Sequence, residues 1–373
     1  MKFEIQKSDF LNLLQKTQNI IEKRNTMPIL SNALLVAEKG KVSIFATDLE
    51  VSIKDEVSAN VEVEGKVAVS AKNLFDLVKE LSDNTVQVLK KSNNWVELKN
   101  KKAVFNIVGS AADEFPAFPQ YETKDFVRVQ GQILHDMIEK TIYSVSNDET
   151  RYHLNGVYFE RTTSDSGTSF RMVATDGHRL SLIDKKVEVS LPGNKAAEGV
   201  IIPKKGLHEL RKLLDGAEGT LEMAFEGSHL VVKRENTVLL IRLIDGKYPN
   251  YQQLIPARLL KRIAVSRNEL LSSLRRVSLL SNQKSKGITL SITKNVMEIY
   301  SNNPEIGDAK EEIDVRYNGD SMKIGFNAKY LMDILNNIQD EEVDIELNDQ
   351  LSPGILRPAN DASYTCVVMP MRI

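Results

Sequence analysis

The chain has 373 residues, of which 42% are hydrophobic and 27% charged, and 49 basic against 51 acidic side chains give a net charge of −2. This composition can build real cores, which excludes wholesale disorder, and the length predicts two or three domains. No run of about 18 apolar residues occurs, so no transmembrane helix is predicted. The near-neutral charge excludes a protein that grips nucleic acid through bulk positive charge, so any contact with DNA must depend on local charge or shape. The single cysteine, Cys366, excludes an intramolecular disulfide and favours the reducing cytoplasm.

The opening segment, residues 3–17, is predicted to be a short strand followed directly by a helix. Its first residues alternate between apolar and polar, and apolar side chains then recur at helical spacing. The same pattern returns at residues 127–141 and 263–277, shifted by 124 and by 260 positions. A pattern that recurs at such intervals predicts a chain built from copies of one structural unit.

A second strand-then-helix pattern lies inside each copy, at residues 67–77, 200–210 and 324–334. The tripeptide Ala-Thr-Asp also recurs, at residues 46–48 and 174–176. Several matches in the same order at comparable offsets are hard to attribute to chance, so we predict three modules.

The remaining segments are mostly predicted as strands. Residues 95–108 and 228–241 each resemble two strands around a polar turn. A proline-marked segment closes each copy, at residues 115–119, 248–251 and 369–371, and it is also predicted to be a strand.

The fold class that follows is α+β, with two helices packed on a largely antiparallel sheet in each module. The repeat places the three modules at residues 1–124, 125–256 and 257–373. Their connectors are short, so we expect the modules to pack end to end rather than to swing freely.

The six predicted helices carry more basic than acidic side chains. They hold 14 lysines and arginines against nine aspartates and glutamates, a net +5, which leaves −7 for the rest of the chain. Two interpretations stay open: ordinary solvated helix faces, or a basic lining inside an acidic outer shell. The helices are predicted at residues 8–24, 71–81, 131–143, 204–214, 267–277 and 328–338. Most of the positive excess comes from Lys204, Lys205, Arg211, Lys212, Arg275 and Arg276.

Packing geometry limits what such a lining could enclose. Six helices in a ring would leave a hole of only about 8 Å, too tight for a DNA duplex, whose major groove alone is about 12 Å wide. Twelve helices would leave roughly 25 Å, and a head-to-tail pair of three-module chains supplies twelve.

Five segments, taken together, resemble one known family. Thr-Asp-Gly-His-Arg-Leu at 175–180 and Val-Met-Pro-Met-Arg at 368–372 are the most specific matches. The segments are residues 24–30, 151–156, 174–180, 245–249 and 364–373. In these residues, in its length and in its triplication, the chain resembles the bacterial DNA polymerase III β subunit, the replicative sliding clamp family.

The resemblance implies a DNA sliding clamp, a processivity factor without catalytic activity, cofactor or metal. Members form a head-to-tail homodimer, a pseudo-six-fold ring that encircles duplex DNA and is opened by an ATP-driven clamp loader. Short peptide motifs bring the polymerase III α subunit, the clamp loader, other polymerases and repair factors to the ring, and no membrane is involved. Sliding requires a weak, sequence-independent contact, because tight phosphate neutralisation would act as a brake.

The resemblance also assigns residues that would face DNA. By position these are Arg24, Tyr152, His153, Lys204 and Lys205. The neighbouring loop contains Asn147 and Asp148, and His153 stands where some members have tyrosine, so this chain departs from the family in its DNA contacts.

A peptide-binding cleft between the second and third modules is implied in the same way. Its apolar and methionine side chains would form an adaptable trough, while His178, Arg179 and Arg372 would anchor polar groups at the rim. Gln253 replaces a basic residue of some members, so peptide preference is expected to differ. The cleft residues from the second module are Leu154, Thr175, Gly177, His178, Arg179, Leu180, Pro249 and Leu254. Those from the third module are Asn327, Tyr330, Leu351, Pro353, Val367, Val368, Met369, Pro370, Met371 and Arg372.

Ring closure in the family joins the first module to the third by edge-strand pairing with a small apolar core. Phe105 and Ile107 on one side, and Leu279 and Leu280 on the other, occupy those places. Without the resemblance, ordinary interior packing would explain these side chains as well.

Two other function classes compete with a sliding clamp, an enzyme and a protein-binding scaffold. An enzyme would have to use Asp176 and His178, but no ligand spacing, phosphate loop or nucleophile motif accompanies them. Asp48 repeats Asp176 without the histidine, which favours a structural turn, and Cys366 between valines is predicted to be a small buried residue. The second alternative is a repeat scaffold that binds protein partners but never DNA.

Overall fold

A computed structural model describes residues 1–21, 27–82, 84–122, 126–164, 167–188, 198–216, 219–256 and 258–372. The described residues divide into two compact units. The first unit holds residues 1–132 and 205–243, and the second holds 133–188, 198–204 and 244–372. Among the described residues, no helix combines the length and the apolar character needed to cross a membrane.

Each helix directly follows a strand, and further strands separate successive helices. The helices are α1 (Lys7–Gln15), α2 (Ala71–Glu80), α3 (Gly131–Ile142), α4 (Lys204–Leu214), α5 (Arg267–Val277) and α6 (Ala328–Asn336). The strands of the first half are β1 (Lys2–Gln6), β2 (Asn32–Glu38), β3 (Lys41–Thr47), β4 (Val51–Ser58), β5 (Asn60–Val63), β6 (Gly65–Ser70), β7 (Thr85–Lys90), β8 (Val96–Asn100), β9 (Ala103–Ile107), β10 (Gly109–Ser110), β11 (Val127–Gln130), β12 (Gly156–Ser164), β13 (Gly167–Thr175) and β14 (Arg179–Lys186). The later strands are β15 (Val200–Pro203), β16 (Thr220–Glu226), β17 (His229–Arg234), β18 (Thr237–Arg242), β19 (Lys261–Ser266), β20 (Gly287–Thr293), β21 (Val296–Asn303), β22 (Gly307–Arg316), β23 (Met322–Asn327), β24 (Glu342–Leu347), β25 (Gly354–Pro358) and β26 (Tyr364–Val368).

The first unit contains two antiparallel sheets. One has the strand order β5-β1-β7-β8-β9, and the other has the order β10-β6-β2-β3-β4-β18-β17-β16-β11. The pair β4·β18, with Val51 opposite Ile241 and Lys54 opposite Val238, joins strands of the first predicted module to strands of the second. Backbone hydrogen bonds therefore run without interruption across this junction.

The second unit contains one large antiparallel sheet. Its order is β15-β12-β13-β14-β26-β25-β24-β19-β22-β21-β20-β23. Here the pair β14·β26, from Arg179 opposite Val368 to Ile183 opposite Tyr364, joins the second predicted module to the third. Both junctions are thus formed by antiparallel pairing of one strand from each module.

The core of the first module lies between its sheets and the helices α1 and α2. Leu13 and Leu14 from α1, and Leu74 from α2, are fully buried in this cluster. Phe3 meets Phe10 edge to face at 6.2 Å between ring centroids. Burying each such side chain stabilises the fold by about 1.5–3 kcal/mol, so the apolar periodicity of the sequence explains why both helices dock.

The structure confirms the repeated strand-to-helix pattern. The three opening copies are β1–α1, β11–α3 and β19–α5, and the three inner copies are β6–α2, β15–α4 and β23–α6. Both predicted hairpins are also present, and the left-handed residues Lys101 (φ 54°) and Glu235 (φ 53°) make their turns. The predicted α+β class with two helices on antiparallel strands is correct.

The first helix is shorter than the predicted 8–24. It ends at Gln15, because Thr17 Oγ1 and Gln18 Nε2 donate to the carbonyl of Leu14 at 2.7 and 3.2 Å and replace the helical backbone bonds there. Thr17–Ile21 then continue as turns, and the end of the predicted window falls on residues 22–26, outside the described residues.

The three proline-marked closing segments are not strands, contrary to the prediction. Residues 115–119 are irregular, and the segment at 248–251 leads into the 3₁₀ turn Tyr251–Leu254. At the chain end only Met371 pairs, in an isolated bridge with Gly325. Proline lacks the N–H that a ladder needs, which explains the interruption.

Gly206 shows how tightly the first junction is packed. This residue lies in α4, and a Cβ there would come within 2.2 Å of the Ile241 Cγ2 methyl on the buried part of β18. Ile241 also lies opposite Val51 in the β4·β18 pair. The helix therefore approaches the joining strand as closely as a glycine allows.

We expect Gly206→Ala to lower the free energy of unfolding by about 1 kcal/mol, because overpacking costs about 1–3 kcal/mol while the helix propensity of alanine recovers about 1 kcal/mol. Urea unfolding measures the change. Asn73 is the exposed counterpart of Gly206 in α2, so Asn73→Ala is the matched control and should not destabilise the protein. A Gly206→Ala protein as stable as the wild type would contradict the close approach.

Candidate functional site

A compact turn joins β13 to β14 and carries the most specific motif of the sequence. Asp176 Oδ1 accepts the backbone N–H groups of His178 and Arg179 at 2.9 and 3.1 Å. Thr175 Oγ1 accepts from Gly177 N at 3.0 Å and donates to the Arg179 carbonyl at 2.6 Å. Gly177 has φ 91°, a conformation that glycine adopts without strain. The side chains of Thr175 and Asp176 therefore stabilise this turn.

The first module has the same turn between β3 and β4. Asp48 Oδ1 accepts the N–H groups of Glu50 and Val51 at 2.9 and 2.6 Å, and Leu49 takes the place of the glycine with φ 76°. Asp48 and Asp176 thus hold equivalent turns, as the sequence predicted.

Several predicted cleft residues form a buried floor in the second unit. Leu154, Leu180 and Val367 are buried in one cluster, and Leu254 packs against its border. Thr175 is also buried. Leu154, Leu180, Leu254 and Val367 are therefore packed together in the second unit.

Residues of the third module form the next wall. Asn327 caps α6 by accepting the N–H of Lys329 at 2.9 Å, and its Nδ2 donates to the Ser285 carbonyl at 3.0 Å. Tyr330 follows on the first turn of α6 and is half-buried. Leu351 is 76% exposed, an unusual state for a leucine.

The end of the chain runs from the β13–β14 turn to the edge strand β23. Met369 N donates to the His178 carbonyl at 2.9 Å, and Met371 N donates to the Gly325 carbonyl at 2.8 Å. Met369, Pro370 and Met371 are half-buried, and Arg372 is exposed. Two backbone bonds therefore tie the segment to the turn of β13–β14 on one side and to the edge strand β23 on the other.

Arg179 differs from the expected rim position, because its side chain is only 8% exposed. Nε donates to Asp176 Oδ2 at 3.1 Å, Nη1 to Asp333 Oδ2 at 2.6 Å and Nη2 to the Tyr143 carbonyl at 2.5 Å. Its Cζ lies 4.6 Å from the centre of the Tyr330 ring. The guanidinium is engaged inside the protein, while His178 stays exposed as predicted.

Arg151, which was not predicted as a site residue, lies against the same turn. Its Nη1 lies 2.8 Å from the point where a Cβ on Gly177 would stand, so the guanidinium covers the turn. Nε donates to Asp148 Oδ2 at 3.0 Å. Hydrogen bonds from Thr150, and then from Arg151, lower the pKa of Asp148, so this pair stays charged. Its place at the start of the 151–156 motif is the sequence signal that could have identified it.

Three of the residues expected to face DNA lie near one loop of the second unit. Tyr152 is 56% exposed and meets His153 edge to face at 5.7 Å. Lys204 Nζ donates to Asn147 Oδ1 at 2.9 Å, and its backbone N–H donates to the Asn155 carbonyl. Burial lowers the pKa of Lys204, and the nearby charges of Arg179 and Lys329 lower it further.

The other two candidates are placed differently. Lys205 forms an ion pair with Asp48 in the first unit, so its charge is partly neutralised. Arg24 lies outside the described residues.

The closure candidates of the first unit lie on an edge strand. β9 pairs with β8 and forms the end of its sheet. Phe105 is 36% exposed, and Ile107 packs partly against the module core. Such an edge presents unpaired backbone groups and a strip of apolar side chains.

The closure candidates of the second unit lie beside another open edge. Along residues 307–313, β22 has β21 as its described neighbour, while β19 pairs with Val315 and Arg316. Leu279 is 71% exposed in the 3₁₀ turn Ser278–Leu280, which lies next to β21 and β22. Leu280 is half-buried.

The described residues contain no group of three or more histidine, cysteine, aspartate or glutamate side chains arranged to hold a metal ion. Cys366 is buried, as predicted, and burial raises the pKa of its thiol. Its Sγ lies 3.4 Å from the hydroxyl of Tyr143, which also meets the Tyr364 hydroxyl at 2.7 Å. This polar chain links β26 to the residue that follows α3.

The chain matches the three domain families of the DNA polymerase III beta subunit. The N-terminal domain family covers residues 1–119, the central domain family 128–250 and the C-terminal domain family 252–372. It is 32% identical to the beta sliding clamp of Vibrio cholerae serotype O1 over 374 residues, with 100% of both chains covered. It is 33% identical to the beta sliding clamp of Pseudomonas putida at the same coverage.

Solved structures give the same result. A sliding clamp from Bartonella birtlesii bound to griselimycin superimposes with a TM-score of 0.95, and one from Pseudomonas aeruginosa bound to griselimycin with 0.92. The Caulobacter crescentus beta sliding clamp, with polyethylene glycol in the region suggested for beta-motif tethering, gives 0.94. Each is 31% identical to this chain, with 100% of both chains covered.

Proposed function

The chain belongs to the DNA polymerase III beta subunit family and is a DNA sliding clamp, and we propose that it works as a head-to-tail homodimeric ring around duplex DNA. The ring would tether the replicative polymerase and so confer processivity. In this proposal the protein catalyses no reaction and acts in the cytoplasm, where the chromosome is replicated. The predicted module boundaries at residues 124 and 256 are retained as part of it, supported by domain matches that change at similar places.

The ring is supported mainly by one observation: successive modules are joined by the same kind of strand pairing. β4 of the first module pairs with β18, and β14 of the second module pairs with β26. β22 is the third strand of this series, and β9 is the first-module counterpart of β18 and β26. Both β22 and β9 have open edges within the described part of the chain. Pairing β22 of one copy with β9 of another would repeat the junction and close a ring of six modules.

Internal repetition also predicts the register of this pair. A shift of 260 positions maps Lys16 onto Arg276. Lys16 pairs with Asp55 at 2.6 Å, and Arg276 Nε donates to Glu311 at 3.0 Å, so Glu311 on β22 takes the place of Asp55 on β4.

The partner strand can be aligned in the same way. In both hairpins the second strand begins directly after the turn, at Ala103 in β9 and at Thr237 in β18. Because Val238 lies opposite Lys54, we expect Val104 of one copy opposite Lys310 of the other. Phe105 would then lie opposite Ala309, near Leu279 and Leu280.

Charge favours the same pairing. β22 carries exposed acids at Asp308, Glu312 and Asp314, and the turn before β9 carries exposed Lys101 and Lys102. Opposite charges along two edges favour heterologous contact and disfavour pairing of either edge with itself.

We expect Leu279→Asp to convert the dimer into monomers near 42 kDa, because burying an unpaired carboxylate in the closure costs several kcal/mol. Sedimentation at micromolar concentration measures the mass. Leu351→Asp is the matched control, since Leu351 is equally exposed but lies at the cleft, and it should remain dimeric. A Leu279→Asp protein of unchanged mass would refute the interface.

Contacts with DNA are proposed at Tyr152, His153, Lys204 and Lys205, together with Arg24. Tyr152 is exposed and can stack or donate to a phosphate, but both lysines are already engaged, Lys204 by Asn147 and Lys205 by Asp48. The resulting contact would be weak and independent of sequence, so retention on DNA would depend on the closed ring.

Loading separates this function from the alternative of a scaffold that never binds DNA. With the cognate clamp loader and ATP, the protein should remain on nicked circular DNA through gel filtration. Linearisation of the same DNA should release it, because a ring runs off a free end. Equal retention on circular and linear DNA, or no retention on either, would contradict the topological mechanism.

Partner peptides are proposed to dock in the cleft bounded by the Thr175–Leu180 turn, α6 and the chain end. The buried apolar floor and the exposed Leu351 provide an apolar surface with few charges, which suits short hydrophobic motifs. The polymerase α subunit, the clamp loader, other polymerases and repair factors would share it.

Deletion of residues 369–373 should abolish stimulation of the polymerase while the protein stays dimeric. The segment forms a wall of the cleft through Met369 and Met371, and its residues are distant in sequence from the closure residues. Primer extension on a long template and sedimentation together measure both properties. Full stimulation by the truncated dimer would show that the cleft is assigned wrongly.

A further inference from the structure

Arg179 lies at the meeting point of three elements that build the cleft. Its Nε bonds to Asp176 in the β13–β14 turn, and its Nη2 to the Tyr143 carbonyl beyond the end of α3. Its Nη1 bonds to Asp333 on α6 of the third module. One buried side chain therefore connects both walls of the cleft.

The same guanidinium supports an aromatic ring of the cleft. Its Cζ lies 4.6 Å from the centre of the Tyr330 ring, within the range of a cation–π contact. Tyr330 and Asp333 are three residues apart on α6 and so share one face of the helix. Arg179 thus binds the helix through Asp333 and stacks on the ring that the same helix face presents.

The charges around Arg179 fix its geometry. Asp176 and Asp333 are largely shielded from solvent, with side chains 15% and 27% exposed, so both ion pairs operate with little screening. Asp176 is itself held by two backbone N–H groups of its own turn. A planar guanidinium can satisfy these acceptors and stack on a ring at once, whereas an ammonium cannot.

From this arrangement, which rests on the proposed cleft, we infer that Arg179 is a positioning residue. It sets the separation of the two cleft walls and orients the Tyr330 ring, without touching the bound peptide. Peptide affinity would therefore depend on a residue that the ligand does not contact, and the dependence would pass through Tyr330.

The test uses griselimycin, which is bound to the sliding clamps of two relatives in their solved structures. Its affinity for the full-length dimer is measured by calorimetry for the wild type, Arg179→Lys, Tyr330→Ala and the double variant. We expect Arg179→Lys and Tyr330→Ala each to weaken binding by about tenfold or more, and the double variant to be no weaker than Tyr330→Ala alone, since coupled residues are not additive. A role in general stability would instead give additive losses.

The control is Arg262→Lys, which alters an arginine of the third module that also bonds to a buried aspartate, Asp344, at 2.6 Å. It lies outside the cleft and should bind griselimycin like the wild type. If Arg179→Lys folds poorly, Asp333→Asn serves instead, because it removes the charge that holds Nη1 while the arginine stays in place. It should weaken binding by about threefold or more and show the same non-additivity with Tyr330→Ala.

Unchanged affinity of Arg179→Lys and Asp333→Asn, or additive losses in the double variants, would overturn the positioning role while leaving the cleft intact. Equal griselimycin binding by the wild type, Tyr330→Ala and the 369–373 deletion would overturn the cleft proposal and this inference with it.

Discussion

Hydrogen bonding between strands of successive modules is the constraint on which the whole architecture depends. β4·β18 and β14·β26 carry it inside the chain, and each adds its backbone bonds to a sheet larger than one module could form. Where such a strand edge is open, its unpaired backbone N–H and C=O groups can pair with another chain. In the part of the chain that the structure describes, β22 and β9 are the strands of these two kinds whose edges stay open, and head-to-tail pairing of two copies is the simplest arrangement that covers both.

The two internal junctions use the same strand pairing but differ in their side chains. At the first junction Gly206 brings α4 against Ile241, and Asp48 of the turn pairs with Lys205. At the second, the counterpart of Gly206 is Tyr330, whose half-buried ring stacks on Arg179. A glycine thus allows close contact between helix and strand at the first junction, whereas the same helix position at the second carries a ring assigned to the proposed cleft.

Periodicity and internal repetition were sufficient to predict the α+β class, the strand-to-helix units and the two Asp-stabilised turns, because these depend on neighbours in sequence. The end of α1 was not predictable, since Thr17 and Gln18 compete for the Leu14 carbonyl through side chains that periodicity does not weigh. Arg179 was expected at the rim because two of its three acceptors, the Tyr143 carbonyl and Asp333, come from segments far apart in sequence. Arg151 was missed as a site residue for the same reason, as only the fold brings it over Gly177.

The lysines and arginines of the helices form ion pairs within the protein, and these pairs affect how strongly a clamp could hold DNA while it slides. The predicted excess of +5 on the helices suggested a basic lining, yet Lys16 pairs with Asp55 and Lys212 with Glu209 at 2.6 and 2.7 Å. Arg276 is paired with Glu311 as well. Cations that already have carboxylate partners release fewer counterions from DNA, so each phosphate contact is weaker and exchanges quickly. A surface whose cations are paired in this way favours retention by a closed ring over retention by affinity, and the proposed pairing of β9 with β22 would supply that ring.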